Sequence, residues 1–232
     1  MPTKLVRLAL AALMTAAAAA FAVAAIPDTS RVRLTSGAEA FVAYPAGDGA
    51  APGVIVVPEA GGMSAPIREV ARKLSRQGYL AIVPDAGPGE ERGVATLTAA
   101  GTWLRAQPRS AKSRIGVIGF GAGGALAQQF AASSDLAGAV VVFYGTPLPA
   151  ARIPSLRASL QGHFGAQDDG IATDRVEAFK AALDRAGKIA EIHVYAGAGP
   201  GFMDDGRPSY NPDAERLAWA RMLAFLQKQL KR

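Results

Sequence analysis

Short apolar runs alternate with amphipathic stretches along most of this chain. Each strand-like run is followed by a segment with helical periodicity. This alternation favours an α/β domain with a mainly parallel sheet and helices on both faces, because parallel strands need crossover connections. Antiparallel edge strands are expected within 31–45. The predicted strands are 54–57, 79–83, 115–118, 139–144, 159–164 and 191–195, and the predicted helices are 65–77, 94–106, 125–132, 174–186 and 213–228.

The first 25 residues have the pattern of a secretory signal peptide. Lys4 and Arg7 precede an apolar run over 8–20, and small residues at 22–24 suit a cleavage site. We therefore expect one domain over 26–232 in a protein that is exported to the periplasm or secreted. If the segment is not cleaved, we expect it to anchor the protein to a membrane instead.

Charge and cysteine content exclude several kinds of chemistry. Without Lys4 and Arg7 the formal charge falls from +6 to +4, and the other basic residues are scattered among acidic ones, so no nucleic-acid surface is indicated. The absence of cysteine excludes disulfides, thiolate nucleophiles and thiolate metal ligands. The two histidines, His163 and His193, fall inside predicted strands, so we expect both to be structural.

Residues 114–124 form a predicted strand, a sharp glycine-rich turn and a helix start. This arrangement is typical of a nucleophile elbow, in which a strained turn presents a serine or cysteine beside backbone N–H groups. The central residue here is Gly121, which tolerates the backbone angles of the turn but brings no side chain. Gly119, Gly121 and Gly124 also match G-x-G-x-x-G, so a nucleotide-binding protein is an alternative, although no acidic residue ends the next strand.

Several further segments, together with the elbow, carry a resemblance to a known family. They are 52–85 with Val57-Pro58-Glu59, 162–168, 191–202, 207–212 and the helix with Ala218-Trp219. With these segments, the sequence over about 36–226 resembles the dienelactone hydrolase family. The resemblance implies an α/β-hydrolase fold and a Cys-His-Asp triad with a nearby glutamate, acting on lactones or similar small esters. By this resemblance Asp168 matches the acid and Glu59 the glutamate, whereas Gly121 and Pro200 occupy the nucleophile and histidine positions.

The two missing positions favour a non-catalytic protein that binds a small ligand, such as a lactone, ester or carboxylate, or a partner. The alternative is a hydrolase in which Glu59 or Asp168 activates water and the backbone N–H groups of Ala60 and Ala122 stabilise an oxyanion. Neither hypothesis requires a metal or a cofactor.

Several loop residues are candidates for ligand contacts at the carboxyl edge of the sheet. Met63, Phe120 and Phe202 are expected to line a pocket there. Arg207 suits either an anionic ligand or an ion pair with Asp204 or Asp205. The carboxylates at 59, 168–169 and 204–205 offer a divalent cation site or an acid/base pair, but their spacing matches no calcium loop. Aspartates in such turns more often bond to the backbone.

Overall fold

The computed structural model describes residues 28–59, 62–112 and 114–231, so the predicted signal peptide lies outside these ranges. Within them, eight strands form one sheet, flanked by five α-helices and a short 3-10 helix, Ala150–Ser155. The strands are β1 Thr29–Arg33, β2 Glu39–Ala43, β3 Gly53–Val57, β4 Leu80–Pro84, β5 Ile115–Phe120, β6 Ala137–Phe143, β7 Ser159–Gly165 and β8 Ala190–Tyr195. The helices are α1 Ala65–Arg76, α2 Glu90–Ala106, α3 Ala122–Ser133, α4 Thr173–Arg185 and α5 Pro212–Leu230.

The sheet has the order β1-β2-β4-β3-β5-β6-β7-β8. Strands β3 to β8 are parallel, and β1 and β2 add the antiparallel edge that the sequence predicts. Thr29 pairs with Ala43, and Ala43 pairs with Ala81 near the start of β4. Strand β1 therefore begins at the amino end of the parallel strands, opposite the edge where the candidate site lies.

Helices cover both faces, and each face has its own apolar core. Side chains of α2, α3 and α4 pack on one face, and those of α1 and α5 pack on the other. In β3, Val54 and Val56 point into the second core while Ile55 and Val57 point into the first. This alternation explains why the strand reads as a continuous apolar run, because parallel strands are buried on both faces.

Two helices begin three or four residues earlier than the sequence predicts. Helix α2 starts at Glu90, directly after Gly89, and carries Glu90 and Glu91 in its first turn, where negative charge suits the helix dipole. Helix α3 starts at Ala122, immediately after the glycine turn. No helix within the described ranges is long and apolar enough to cross a membrane.

Candidate functional site

Gly121 lies in a strained turn between β5 and α3. Its φ of 52° and ψ of −121° belong to a region that residues with a Cβ rarely adopt. Its N–H donates to the carbonyl of Phe143 at 2.9 Å, and its own carbonyl accepts from the N–H of Gly124 at 2.9 Å. The turn thus has the geometry of an elbow and is held by backbone hydrogen bonds on both sides.

The Glu59 side chain lies directly over this turn. A Cβ added to Gly121 would be 2.7 Å from the carboxylate carbon and from one carboxylate oxygen of Glu59. The other oxygen accepts a hydrogen bond from Nη2 of Arg207 at 2.6 Å, and Nε of Arg207 donates to Asp204 at 3.1 Å. Partial burial lowers the pKa of Arg207, but the charge of Glu59 and these hydrogen bonds outweigh it and raise the pKa overall.

A cavity of about 590 Å³ opens beside the ion pair, between α1 and the loop that precedes α5. Phe120 and Arg207 line it, as the sequence predicts. The prediction is wrong for Phe202, which does not line the cavity. Its side chain is fully buried between the rings of Tyr144 and Tyr195, with ring centroids 5.4 and 5.3 Å away. The prediction is also wrong for Met63, because its side chain packs against the apolar core beneath α1 and α5 and does not line the cavity.

A second cavity of about 580 Å³ lies on the other side of Glu59. Ala122 lines it together with the loop that follows β4. Because Ala122 is the first residue of α3, its N–H has no partner within the helix and suits a backbone donor. Ala60, the other predicted oxyanion donor, lies outside the described residues.

Asp168 is engaged within its own turn. Its carboxylate accepts hydrogen bonds from the N–H groups of Gly170 at 2.9 Å and Ile171 at 3.1 Å, and the residue is buried. The loop that carries Pro200 is adjacent, since the N–H of Gln167 donates to the carbonyl of Ala198 at 2.9 Å. The loops that carry Asp168 and Pro200 therefore lie side by side, although Asp168 lines neither cavity.

Both histidines lie within the sheet. The imidazole of His163 is fully buried, with Nδ1 2.8 Å from the Tyr195 hydroxyl and Nε2 3.0 Å from the side-chain oxygen of Gln161. Burial lowers the pKa of His163 well below its usual value, and burial and the nearby Arg221 also lower the pKa of His193. Neither imidazole lines the cavities, so neither is placed to act on a molecule bound in them.

The carboxylates of the predicted cation site do not form a common cluster. Glu59 and Asp204 share the guanidinium of Arg207, whereas Asp168 caps its own turn. Across the part of the chain that the structure describes, no three histidine or carboxylate side chains come together as a possible metal site.

The glycines of the proposed nucleotide fingerprint have a packing role. A Cβ on Gly119 would be 2.2 Å from the carbonyl oxygen of Gly123, and a Cβ on Gly124 would be 3.2 Å from that of Gly119. A Cβ on the neighbouring Gly123 would be 2.4 Å from the carbonyl oxygen of Pro58. Helix α3 therefore meets β5 and the end of β3 backbone to backbone. This close packing explains why glycines occupy these positions, and it requires no bound phosphate.

Sequence reasoning did not single out Tyr144, which also lines the cavity. Tyr144 follows the carboxyl end of β6, and that position could have marked it, because ligand-contacting residues of open parallel sheets lie there. Burial, followed by the charge of Glu59, raises the pKa of its hydroxyl. Trp219, known from the sequence only as part of the C-terminal pattern, lines the same cavity.

Comparison with known proteins matches residues 38–92 and 86–230 to the family described as "Dienelactone hydrolase family". The chain belongs to the dienelactone hydrolase family. A protein from Salmonella typhimurium, named "Putative carboxymethylenebutenolidase", is 33% identical over 219 residues, which cover 80% of this chain and 81% of that protein. A "Probable 2-oxo-3-(5-oxofuran-2-ylidene)propanoate lactonase" from Bradyrhizobium is 28% identical over 222 residues, covering 82% and 89%.

Solved structures agree with this membership. A crystal structure titled "Putative Dienelactone Hydrolase" from Klebsiella pneumoniae superposes with a TM-score of 0.82 at 29% identity, covering 87% of this chain and 98% of that one. The dienelactone hydrolase fold thus extends over nearly all of the described chain, and the α/β-hydrolase expectation is confirmed.

Proposed function

We propose that this protein is an exported, dienelactone-hydrolase-like binding protein that lacks the nucleophilic chemistry of its family. One observation carries the proposal: Gly121 keeps the strained turn of the elbow while the Glu59 carboxylate occupies the space of the missing side chain. Pro200, at the position of the histidine, has no group that could accept or return a proton. The proposed export depends on the N-terminal sequence alone.

The cavity beside Gly121 suits a small molecule as the ligand. Its volume of about 590 Å³ lies within the usual range for small-molecule sites, and aromatic side chains such as Phe120 and Trp219 contribute to its walls. A ligand carboxylate would compete with Glu59 and Asp204 for Arg207. A neutral lactone or ester needs no such exchange, so we favour a neutral ligand over an anionic one.

The test is to restore the missing groups in the chain without its first 25 residues. Gly121→Cys and Pro200→His are introduced together and singly, and hydrolysis of a small lactone and of p-nitrophenyl acetate is followed beside the parent. We expect an inactive parent, inactive single variants and an active double variant, because nucleophile and base act as a unit. A parent that turns over either ester well above a boiled sample would overturn the proposal.

The second candidate is a hydrolase that uses water activated by Glu59. The observation in its favour is that the Glu59 carboxylate lies at the elbow, near the N-terminus of α3, where Ala122 offers a backbone donor. The names of the relatives also refer to hydrolases. Such a mechanism would give only a modest rate, since catalysis that survives without a triad is about 10³- to 10⁴-fold over water.

Two conservative substitutions test this candidate. If Glu59 is the base, Glu59→Gln abolishes whatever activity the parent has, whereas Asp168→Asn leaves it intact because Asp168 is engaged in its own turn. Loss with Asp168→Asn alone would transfer the role to Asp168. Activity that survives both substitutions would eliminate the carboxylate mechanism.

A further inference from the structure

Tyr144 is held in a rare backbone conformation beside the cavity. Its φ is 41°, a value that residues with a Cβ seldom adopt. The conformation is fixed by neighbouring strands, because the N–H of Tyr144 donates to the carbonyl of His163 at 2.8 Å and the preceding carbonyl, of Phe143, accepts from Gly121. Backbone strain of this kind concentrates at sites where a side chain has a function.

The hydroxyl of Tyr144 has no hydrogen-bond partner among the residues that the structure describes. Only 8% of the residue is exposed, but its hydroxyl is not one of the fully buried polar atoms that lack a partner, so it is accessible. Because Tyr144 lines the cavity, its free hydroxyl is available to a ligand there. Three other tyrosine hydroxyls do have side-chain partners, namely those of Tyr44, Tyr195 and Tyr210.

The charges around this hydroxyl favour a neutral ligand group. Burial and the carboxylates of Glu59 and Asp204 raise the pKa of Tyr144, against the opposing effect of Arg207, so the phenol stays protonated and can donate. Arg207 is already bound to both carboxylates. An anionic ligand oxygen at this point would be repelled by Glu59 and Asp204, whereas a carbonyl oxygen would not.

We propose that the Tyr144 hydroxyl recognises a small neutral carbonyl compound in this cavity by donating a hydrogen bond to its carbonyl oxygen. The inference depends on the ligand-binding function proposed above and adds to it a specificity-determining residue. The rings of Phe120 and Phe202 contact Tyr144 with centroids 6.3 and 5.4 Å away, and fix the direction of the phenol.

Two probes with the same ring test the proposal. Tetrahydropyran-4-one carries a carbonyl, and tetrahydropyran does not, and neither can be hydrolysed. Binding is followed by NMR through the indole N–H signal of Trp219, which lines the cavity. Trp103 is the only other tryptophan, so a Trp103→Phe variant assigns the signal.

We expect the parent to bind the ketone more tightly than the ether. Tyr144→Phe should weaken ketone binding about five- to tenfold, the usual effect of losing one neutral hydrogen bond, and leave ether binding unchanged. Tyr79→Phe is the matched control, because Tyr79 is also buried in the same core but does not line the cavity. It should change neither affinity.

The outcomes separate this inference from the function on which it depends. Equal affinity of the parent for the two probes would overturn the role of Tyr144, and this comparison needs no variant. A preference for the ketone that persists in Tyr144→Phe would also overturn it. If neither probe shifts the Trp219 signal of the parent, the ligand-binding function itself fails for neutral compounds.

Discussion

The carboxylate of Glu59 lies where a side chain at Gly121 would project, 2.7 Å from the position of its Cβ. The same carboxylate pairs with Arg207 at 2.6 Å. The glycine and the ion pair therefore depend on each other, because any larger residue at 121 has to displace Glu59. A larger residue at 121 would therefore also disturb the contact between Glu59 and Arg207.

Gly121→Ala should destabilise the fold more than the same change at Gly187. Gly187 has a similar φ of 62° but nothing within 4 Å of an added Cβ, so it isolates the cost of backbone strain at about 1 kcal/mol. At Gly121 we expect a further 1–2 kcal/mol or so from the displacement of Glu59. Urea unfolding measures both changes.

A double-mutant cycle identifies the source of that difference. Glu59→Ala removes the obstructing carboxylate, so Gly121→Ala should cost less in its background than in the parent. Equal losses for the two glycine variants in the parent would contradict the position of Glu59.

Gly119→Ala should be much more damaging, because the added Cβ would lie 2.2 Å from the backbone carbonyl oxygen of Gly123. A backbone atom within a packed helix cannot move aside as a flexible side chain can. We expect a loss of about 3 kcal/mol or more in the free energy of unfolding. Gly49→Ala, in open space, is the control and should change stability little. A small effect at Gly119 would mean that α3 packs less closely than described.

Asp168 should contribute to stability through its turn. Asp168→Ala removes the acceptor for the N–H groups of Gly170 and Ile171, and we expect a loss of about 1–2 kcal/mol. Asp168→Asn keeps one side-chain oxygen and should lose less. Thermal or urea unfolding of the two variants measures both losses of stability. Similar losses would show that the turn needs the negative charge of Asp168 rather than a neutral hydrogen-bond acceptor.

Stability should decrease as pH falls below about 6.5. Burial lowers the pKa of His163 in the folded chain, so the unfolded chain, with an ordinary pKa near 6.5, binds the proton first. The free energy of unfolding should then fall by up to about 1.4 kcal/mol per pH unit. We expect this slope in urea unfolding between pH 7 and 5.5. His163→Gln should reduce it, and a parent with a flat profile would refute the burial of a neutral imidazole.

The sequence predicts the sheet well because its strands are buried on both faces and read as apolar runs. The antiparallel edge over 31–45 and all six predicted parallel strands are present, with ends that differ by a few residues. The 3-10 helix Ala150–Ser155 was missed, since its six residues, one of them Pro154, are too short to establish a helical period.

The site was harder to predict, because side-chain direction depends on tertiary packing. Met63 lies in the loop between β3 and α1, and Phe202 lies in the loop between β8 and α5, as the sequence predicts. Neither side chain lines the cavity, and the ring of Phe202 is enclosed by two tyrosines. The turn at Gly121 could be inferred from its glycines. The position of Glu59 over that turn and the positive φ of Tyr144 could not, since both arise from contacts between distant segments.

The direction of β1 places the start of the described chain away from the cavity. Thr29 lies at the amino end of the parallel strands, whereas the cavity opens near their carboxyl ends. A probe attached at Thr29 would therefore leave the entrance of the cavity unobstructed.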